Sequence, residues 1–408
     1  MLTGTIPRWL DRRVLLTPDR EAYCDSHNGV RLNFQELSEE SLRLAEGFRT
    51  SGTVRKGDRV ALLLENCAEF LVCVLALARI GAVVVPLNWR LTANELAEIL
   101  VDCGPSVLVY GQQFVATMQA LNSNGSLRDV SLCVRVGSRD GVPPFGCSYG
   151  SLLGATAVAE PFVEVDPDDI LFILYTSGTT GAPKGAVHTH STVLAAVQTI
   201  VATLHYAEHE RFFSPVPMFH VAALTPLLCN LYKGVTSVVM NGFEPELAWE
   251  VIAKERVTSG IAVPAMLNEM LRANVLSGLD VTSWRWCLAG AAPVPDFLVQ
   301  RFAQLGVSLL QTYGLTESCG PACTIDPQNA MQRPGSTGKP FFHTDVRVAR
   351  GDGSDCSPEE IGEVFVRGEH VMQGYWNQPE ATASVFSDGW LRTGDAARVD
   401  SDGFLYIE

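Results

Sequence analysis

Residues Tyr175–His190 read YTSGTTGAPKGAVHTH. Thr176–Gly185 alone holds three glycines, four hydroxyl side chains and one lysine. A continuous apolar run, ILFILY (Ile170–Tyr175), leads into it, and HSTVLAAVQTIV (His190–Val201) after it reads as a helix. Strand, Gly/Ser/Thr loop, helix is a geometry for holding phosphate. Glycines let backbone N–H groups approach, hydroxyls donate, and lysine neutralises charge. The pattern is not a Walker A loop, which places Ser or Thr directly after the lysine; here Lys184 lies between Pro183 and Gly185. A metal that balances phosphate charge must therefore be held by another part of the chain.

Outward from this stretch, apolar strands alternate with helices. RVALLLEN (Arg59–Asn66) reads as a strand, and Phe70–Leu87, FLVCVLALARIGAVVVPL, as a buried helix to about Ile80, a turn at Gly81 and a second strand. That run approaches the length of a membrane span, but Arg79 interrupts it and Gly81 and Pro86 break it. ELAEILVDCGPSVLVYG and PELAWEVIAKERVTSGIAVPAM repeat the helix-then-strand theme. Strands spaced by helices of this length imply mainly parallel sheets covered on both faces. From about Pro334 the runs shorten to DVRVAR, GEVFVRG, GWLRTGD and GFLYIE between Gly and Asp turns, which predicts a small barrel-like β subdomain. The expected fold is α/β: two helix-covered, mainly parallel sheets in a layered sandwich, with approximate subdomains 1–190, 191–330 and 331–408.

The 408 residues are 47% hydrophobic and 18% charged, a globular composition with enough chain for a large core. A net charge of -15 disfavours nucleic acid and anionic lipid as partners, so an anionic ligand must be met by a local site. The 11 cysteines are scattered, and the nearest two, Cys319 and Cys323, have no second pair at zinc-ligand spacing. Free thiols in a reducing cytoplasm are expected. MLTGTIPRWLDRR has no apolar core of signal-peptide length.

YTSGTTGAPKG resembles the signature of the adenylate-forming enzymes, which include acyl-CoA synthetases, luciferases and peptide-synthetase adenylation domains. NFQELSEESLRLAEGF, ARIGAVVVPLN, PMFHVAAL (Pro217–Leu224), QTYGLTE (Gln311–Glu317), GEVFVRGEHVMQGYW (Gly362–Trp376) and GWLRTGD (Gly389–Asp395) resemble further motifs of that family, in the family's order. The resemblance covers nearly the whole chain. It implies that a carboxylate attacks the α-phosphorus of ATP to give acyl-AMP and pyrophosphate, and that a thiol, usually coenzyme A, then displaces AMP.

The resemblance also implies roles. Thr176, Ser177, Gly178, Thr179, Thr180, Gly181 and Lys184 wrap the β- and γ-phosphates. Glu317 holds Mg²⁺, the function that the loop itself lacks. Thr316 donates to the α-phosphate, Tyr313 faces the adenine, Gly314 permits close approach, and Asp395 accepts the ribose hydroxyls. Gly290, Ala291 and Ala292 lie beside the adenine and the acyl pocket; the family often has a second glycine where this chain has Ala291. His220 orients the carboxylate or gates the acyl tunnel, and is not a general base, because a carboxylate at neutral pH needs no deprotonation. Lys184, His220, Thr316 and Glu317 are the catalytic candidates. His220, Val221, Leu224, Met266, Gly290 and Ala291 are expected around an acyl pocket without Lys or Arg, which favours a monocarboxylic fatty or aryl acid.

The expectations extend to partners and to the end of the chain. The partner is a small carboxylic acid, with no nucleic acid and no membrane span; peripheral membrane contact and a homodimer stay open. GDAARVDSDGFLYIE stops where the family continues through a hinge into a small C-terminal lid domain, so a large N-terminal domain of low activity is expected. Two alternatives stand beside the acid–CoA ligase. One passes the adenylate to an amine or a carrier thiol; the other is a non-catalytic nucleotide- or acyl-binding fragment.

Overall fold

A computed structural model describes residues 4–137, 146–153, 163–176, 183–207, 209–273 and 275–408. Eight strands form the first sheet, in the order Gly374–Tyr375, Lys184–Thr189, Ile170–Thr176, Val83–Pro86, Arg59–Leu63, Val107–Gly111, Leu132–Val136, Gly146–Ser148. From Ile170–Thr176 onward the neighbours are parallel; the two strands at the other edge are antiparallel. The second sheet has nine strands. Its centre, from Ser308–Tyr313 through Trp286–Gly290, Ser259–Ala262, Arg211–Ser214 and Thr236–Val239 to Glu21–Asp25, is parallel throughout. A third sheet of five antiparallel strands gathers Asp345–Ala349, Gly362–Arg367, Phe386–Ser387, Trp390–Val399 and Leu405–Ile407.

Two segments cross between layers. Glu21–Asp25 and Arg31–Asn33, early in the chain, complete the second sheet, and Gly374–Tyr375, late in the chain, pairs with the first. The expected helix–turn–strand at Phe70–Leu87 is present. The helix runs Ala68–Arg79, Gly81 takes φ +66, and Val83–Pro86 is a strand. Every residue of that helix except Glu69 is buried, and it packs in a core shared by the first two sheets. Arg79 sits in that core because it is paired. Its guanidinium reaches Asp11 at 3.0 Å and the hydroxyls of Ser38 and Ser41 at 3.0 and 3.1 Å. No helix among the described residues is long and apolar enough to cross a membrane. All 11 cysteines are free, and most are buried.

One expectation is corrected. The strand Ile170–Thr176 does not pass through its loop directly into a helix. Lys184–Thr189 is itself a strand, paired antiparallel with Ile170–Thr176 so that Thr176 faces Lys184, and the helix His190–Thr203 starts only after it. The Gly/Ser/Thr stretch therefore joins two strands of a hairpin, and helix N-terminal N–H groups do not follow it. Ser177, Gly178, Thr179, Thr180 and Gly181 lie outside the described residues.

Candidate active site

A cavity of about 630 Å³ opens where the C-terminal ends of strands from the first two sheets meet the third. This is where parallel α/β sheets usually bind ligands. Thr176, Lys184, His220, Val221, Gly290, Ala291, Gly314, Thr316 and Glu317, all candidates from the sequence, line it. They come from four separate stretches of chain, so only the fold brings them together.

Among the polar lining residues, Glu317 is the central carboxylate. The Tyr375 hydroxyl donates to its Oε1 at 2.8 Å. Burial, and then the Glu317 charge, raise the pKa of that tyrosine, which keeps the hydroxyl a donor. The Lys184 ammonium lies 5.4 Å from the centre of the same ring, a cation–π contact. Among the described residues no Lys or Arg forms an ion pair with Glu317, whereas Arg392, also on the cavity wall, is paired with Glu363 at 2.7 Å. A carboxylate facing a cavity without a cationic partner suits magnesium, which takes one or two protein carboxylates and fills its sphere with phosphate oxygens and water.

Tyr313 and Asp395 are not among the lining residues, but they are joined: the Tyr313 hydroxyl donates to Asp395 Oδ2 at 2.6 Å, beside the lining residues Thr393 and Gly394. Ala292 is exposed and does not line the cavity. Ala291 does, with φ +64, a left-handed conformation that costs any residue with a Cβ.

Ile200, Val216, Pro226, Ile261, Leu288 and Phe341 give the same cavity an apolar share of its wall. Two expected pocket residues are elsewhere. Helical spacing puts Val221, Ala222, Thr225 and Pro226 on the cavity face of the helix Val221–Lys233, and turns Leu224 into the core at 1% exposure. Met266 packs against the separate core on the far face of the second sheet. His220 stands at the start of the same helix, where its carbonyl accepts the N–H groups of Ala223 and Leu224. Enclosure and then the Arg90 charge lower its pKa, which favours a neutral ring. A second cavity of about 270 Å³ shares Thr176, His220, Val221 and Thr316 with the first.

Sequence reasoning missed Tyr375, Glu363, Arg392 and Thr225. The first two belong to GEVFVRGEHVMQGYW, which stood out as a motif without a role for any single residue.

A family model described as AMP-binding enzyme matches residues 10–376. The chain is 38% identical over 403 residues to the long-chain-fatty-acid–CoA ligase FadD13 of Mycobacterium tuberculosis, covering 98% of this chain and 77% of that one. The inhibitor-bound crystal structure of the N-terminal domain of FACL13 from Mycobacterium tuberculosis superposes with a TM-score of 0.92 at 36% identity, covering 99% of each chain. O-succinylbenzoate coenzyme A synthetase from Bacillus subtilis, in complex with ATP and magnesium ion, superposes with a TM-score of 0.86 at 31% identity, over 98% of this chain and 78% of that one.

Proposed function

The chain belongs to the AMP-binding enzyme family, and from that premise we propose an AMP-forming acid–CoA ligase acting on a fatty or aryl monocarboxylic acid. In the first step a carboxylate oxygen bonds to the α-phosphorus of ATP, and the bond to the β-phosphate bridging oxygen breaks with loss of pyrophosphate. In the second, a coenzyme A sulfur bonds to the acyl carbon, AMP leaves and the thiol proton is released.

The observation that supports this reading most is one cavity lined by both charged and apolar side chains, nine of its residues being those nominated from separate motifs. Lys184 neutralises phosphate charge, and Thr316 donates to the α-phosphate. Glu317 holds magnesium, which when bound offsets triphosphate charge and orients the leaving group. Tyr313 and Asp395 serve the adenosine. Among the described residues, Arg392 is the one other Lys or Arg that lines the cavity, and it is already paired with Glu363, which leaves a second substrate carboxylate no free cation there. That supports a monocarboxylic acid, with Ile200, Val216, Ile261 and Phe341 around its apolar part. The second cavity, reaching His220 and Thr316, offers a separate approach for the thiol.

The test is calorimetric binding of ATP with magnesium to wild type and Glu317→Gln. Glutamine keeps an acceptor for Tyr375 and loses the charge, so the fold should persist while magnesium-dependent affinity falls. Equal affinity at matched magnesium would remove Glu317 from the site. Pyrophosphate exchange over a panel of carboxylic acids then identifies the substrate.

A further inference from the structure

Thr316 and Glu317 reach the cavity from one tight turn, Thr316–Ser318, between the strands Ser308–Tyr313 and Cys323–Thr324. The turn closes on Cys319 at φ +55, a left-handed conformation that a residue with a Cβ seldom adopts. Such backbone persists only where its surroundings over-determine it.

They do so here through four consecutive carbonyls, held by donors from three separate segments. Thr316 O accepts from His188 Nε2 at 2.8 Å, Glu317 O from the Met372 N–H at 2.8 Å, Ser318 O from His370 Nδ1 at 2.9 Å, and Cys319 O from the Thr225 hydroxyl at 2.9 Å. A carbonyl only accepts, so each ring must carry its proton on the nitrogen that faces the turn. His188 is the Nε2–H tautomer. His370 is the Nδ1–H tautomer, and its Nε2 accepts from the Thr344 hydroxyl at 2.8 Å. Both rings are 0% exposed, and neither lines the cavity. Burial pushes each pKa down to about 4, which keeps both rings neutral with one N–H apiece.

We infer that His188 and His370 are positioning residues, whose ring N–H groups fix the turn that presents Thr316 and Glu317 and so set affinity for the magnesium–triphosphate. The inference rests on the roles proposed above for Thr316 and Glu317. His188 lies on the hairpin strand that begins at Lys184, and His370 lies in GEVFVRGEHVMQGYW. The hairpin and the segment that links the third sheet to the strand Gly374–Tyr375 thereby share one turn.

The two rings use different nitrogens, which makes the test specific. A glutamine amide nitrogen reaches where His Nε2 does, and an asparagine amide nitrogen where Nδ1 does. Four variants are compared: His188→Gln, His188→Leu, His370→Asn and His370→Leu. Hydrogen exchange is read at the amides of Ser318, Cys319 and Gly320, whose bonds to Leu315 O and Thr316 O close the turn. ATP–magnesium affinity is read by calorimetry. The leucine variants should exchange roughly tenfold faster and bind ATP–magnesium roughly tenfold more weakly, the effect of one lost buried bond, and the amide variants should stay within about threefold of wild type. Should a leucine variant fail to fold, the reach-mismatched amides His188→Asn and His370→Gln replace it, with the same expected loss.

Wild-type exchange in folded leucine variants would overturn the inference, as would equal losses in leucine and amide variants, which would assign the effect to ring shape. Faster exchange with unchanged affinity would overturn the positioning role and leave the proposed function standing. A wild-type chain that binds no ATP–magnesium would instead overturn the proposed function, and with it the positioning role.

Discussion

Replacing Gly314 by alanine puts the neck of the turn that bears Thr316 and Glu317 under direct test. A Cβ built on Gly314 falls 1.6 Å from the Gly320 carbonyl oxygen, 2.8 Å from its carbon and 3.6 Å from the Ala322 nitrogen. The neck must open by about 1.4 Å before that methyl reaches even a tight 3.0 Å contact. All three neighbours are backbone, so no side chain can swing aside. Opening the neck strains or breaks two bonds, Ala322 N–H to Tyr313 O at 3.2 Å and Gly320 N–H to Leu315 O at 3.1 Å. Two net hydrogen bonds at ~1 kcal/mol each, with an overpacking cost of ~1–3 kcal/mol, give a loss of roughly 3–5 kcal/mol. The same movement carries Thr316 and Glu317 with it, and a displacement near 1 Å at a reacting centre costs ~10²-fold. Urea unfolding reads the first effect and pyrophosphate exchange the second. Gly242→Ala is the control, because a Cβ there meets nothing within 4 Å. If Gly314→Ala unfolds within ~1 kcal/mol of wild type and exchanges pyrophosphate at the wild-type rate, the close approach is not structural and the reasoning fails.

Three further outcomes are expected. Ala291→Gly relieves a left-handed alanine at φ +64 and should stabilise the chain by roughly 1 kcal/mol; an unchanged or lower melting temperature contradicts this. Asn66→Ala removes two bonds from Nδ2, to Val216 O at 3.0 Å and Met240 O at 2.8 Å, and one from the Met218 N–H to Oδ1 at 2.7 Å. With those buried backbone groups unpaired, the loss should exceed ~3 kcal/mol in urea unfolding, and a smaller loss would mean that other partners replace them. His188, His190 and His370 have folded pKa values near 4 against 6.5 for an ordinary histidine. The unfolded chain then binds more protons between these values, so their contribution is intact above about pH 6.5 and declines as pH falls toward 4. His370→Asn should flatten the dependence of melting temperature on pH within that window, and curves parallel to wild type would refute the assignment.

The fold was largely legible because its signals are local. Apolar runs followed by amphipathic helices mark a parallel sheet wherever they occur, and the helix Ala68–Arg79 with its turn at Gly81 follows the expected pattern. The strand Lys184–Thr189 was missed for a physical reason. KGAVHT is short, and the residues that make it a strand, through pairing with Ile170–Thr176, give no apolar run of their own. Glu21–Asp25 and Gly374–Tyr375 take their places in distant sheets through backbone pairing across more than 180 residues, for which the local pattern carries no record.

The same distinction separates the legible site residues from the illegible ones. Side chains that meet a ligand must match its chemistry, so Lys184, Thr316 and Glu317 could be nominated by type once their motifs were seen, and the fold sets all three on one cavity. Leu224 was misplaced because membership of a motif says nothing about which face of a helix a residue takes. His188, His370 and Thr225 act on backbone carbonyls, which every residue supplies alike, so no residue type at 316, 318 or 319 announces that a donor is required there. Their need becomes visible only from the turn itself. A left-handed Cys319 and a cavity-facing Glu317 on the same few residues demand outside donors, and three separate segments supply them at 2.8–2.9 Å. On the roles proposed for Thr316 and Glu317, a site on so short a turn draws part of its rigidity from His188 and His370, which do not line the cavity. Substitutions at those residues should therefore affect nucleotide affinity before they affect the apolar wall of the cavity.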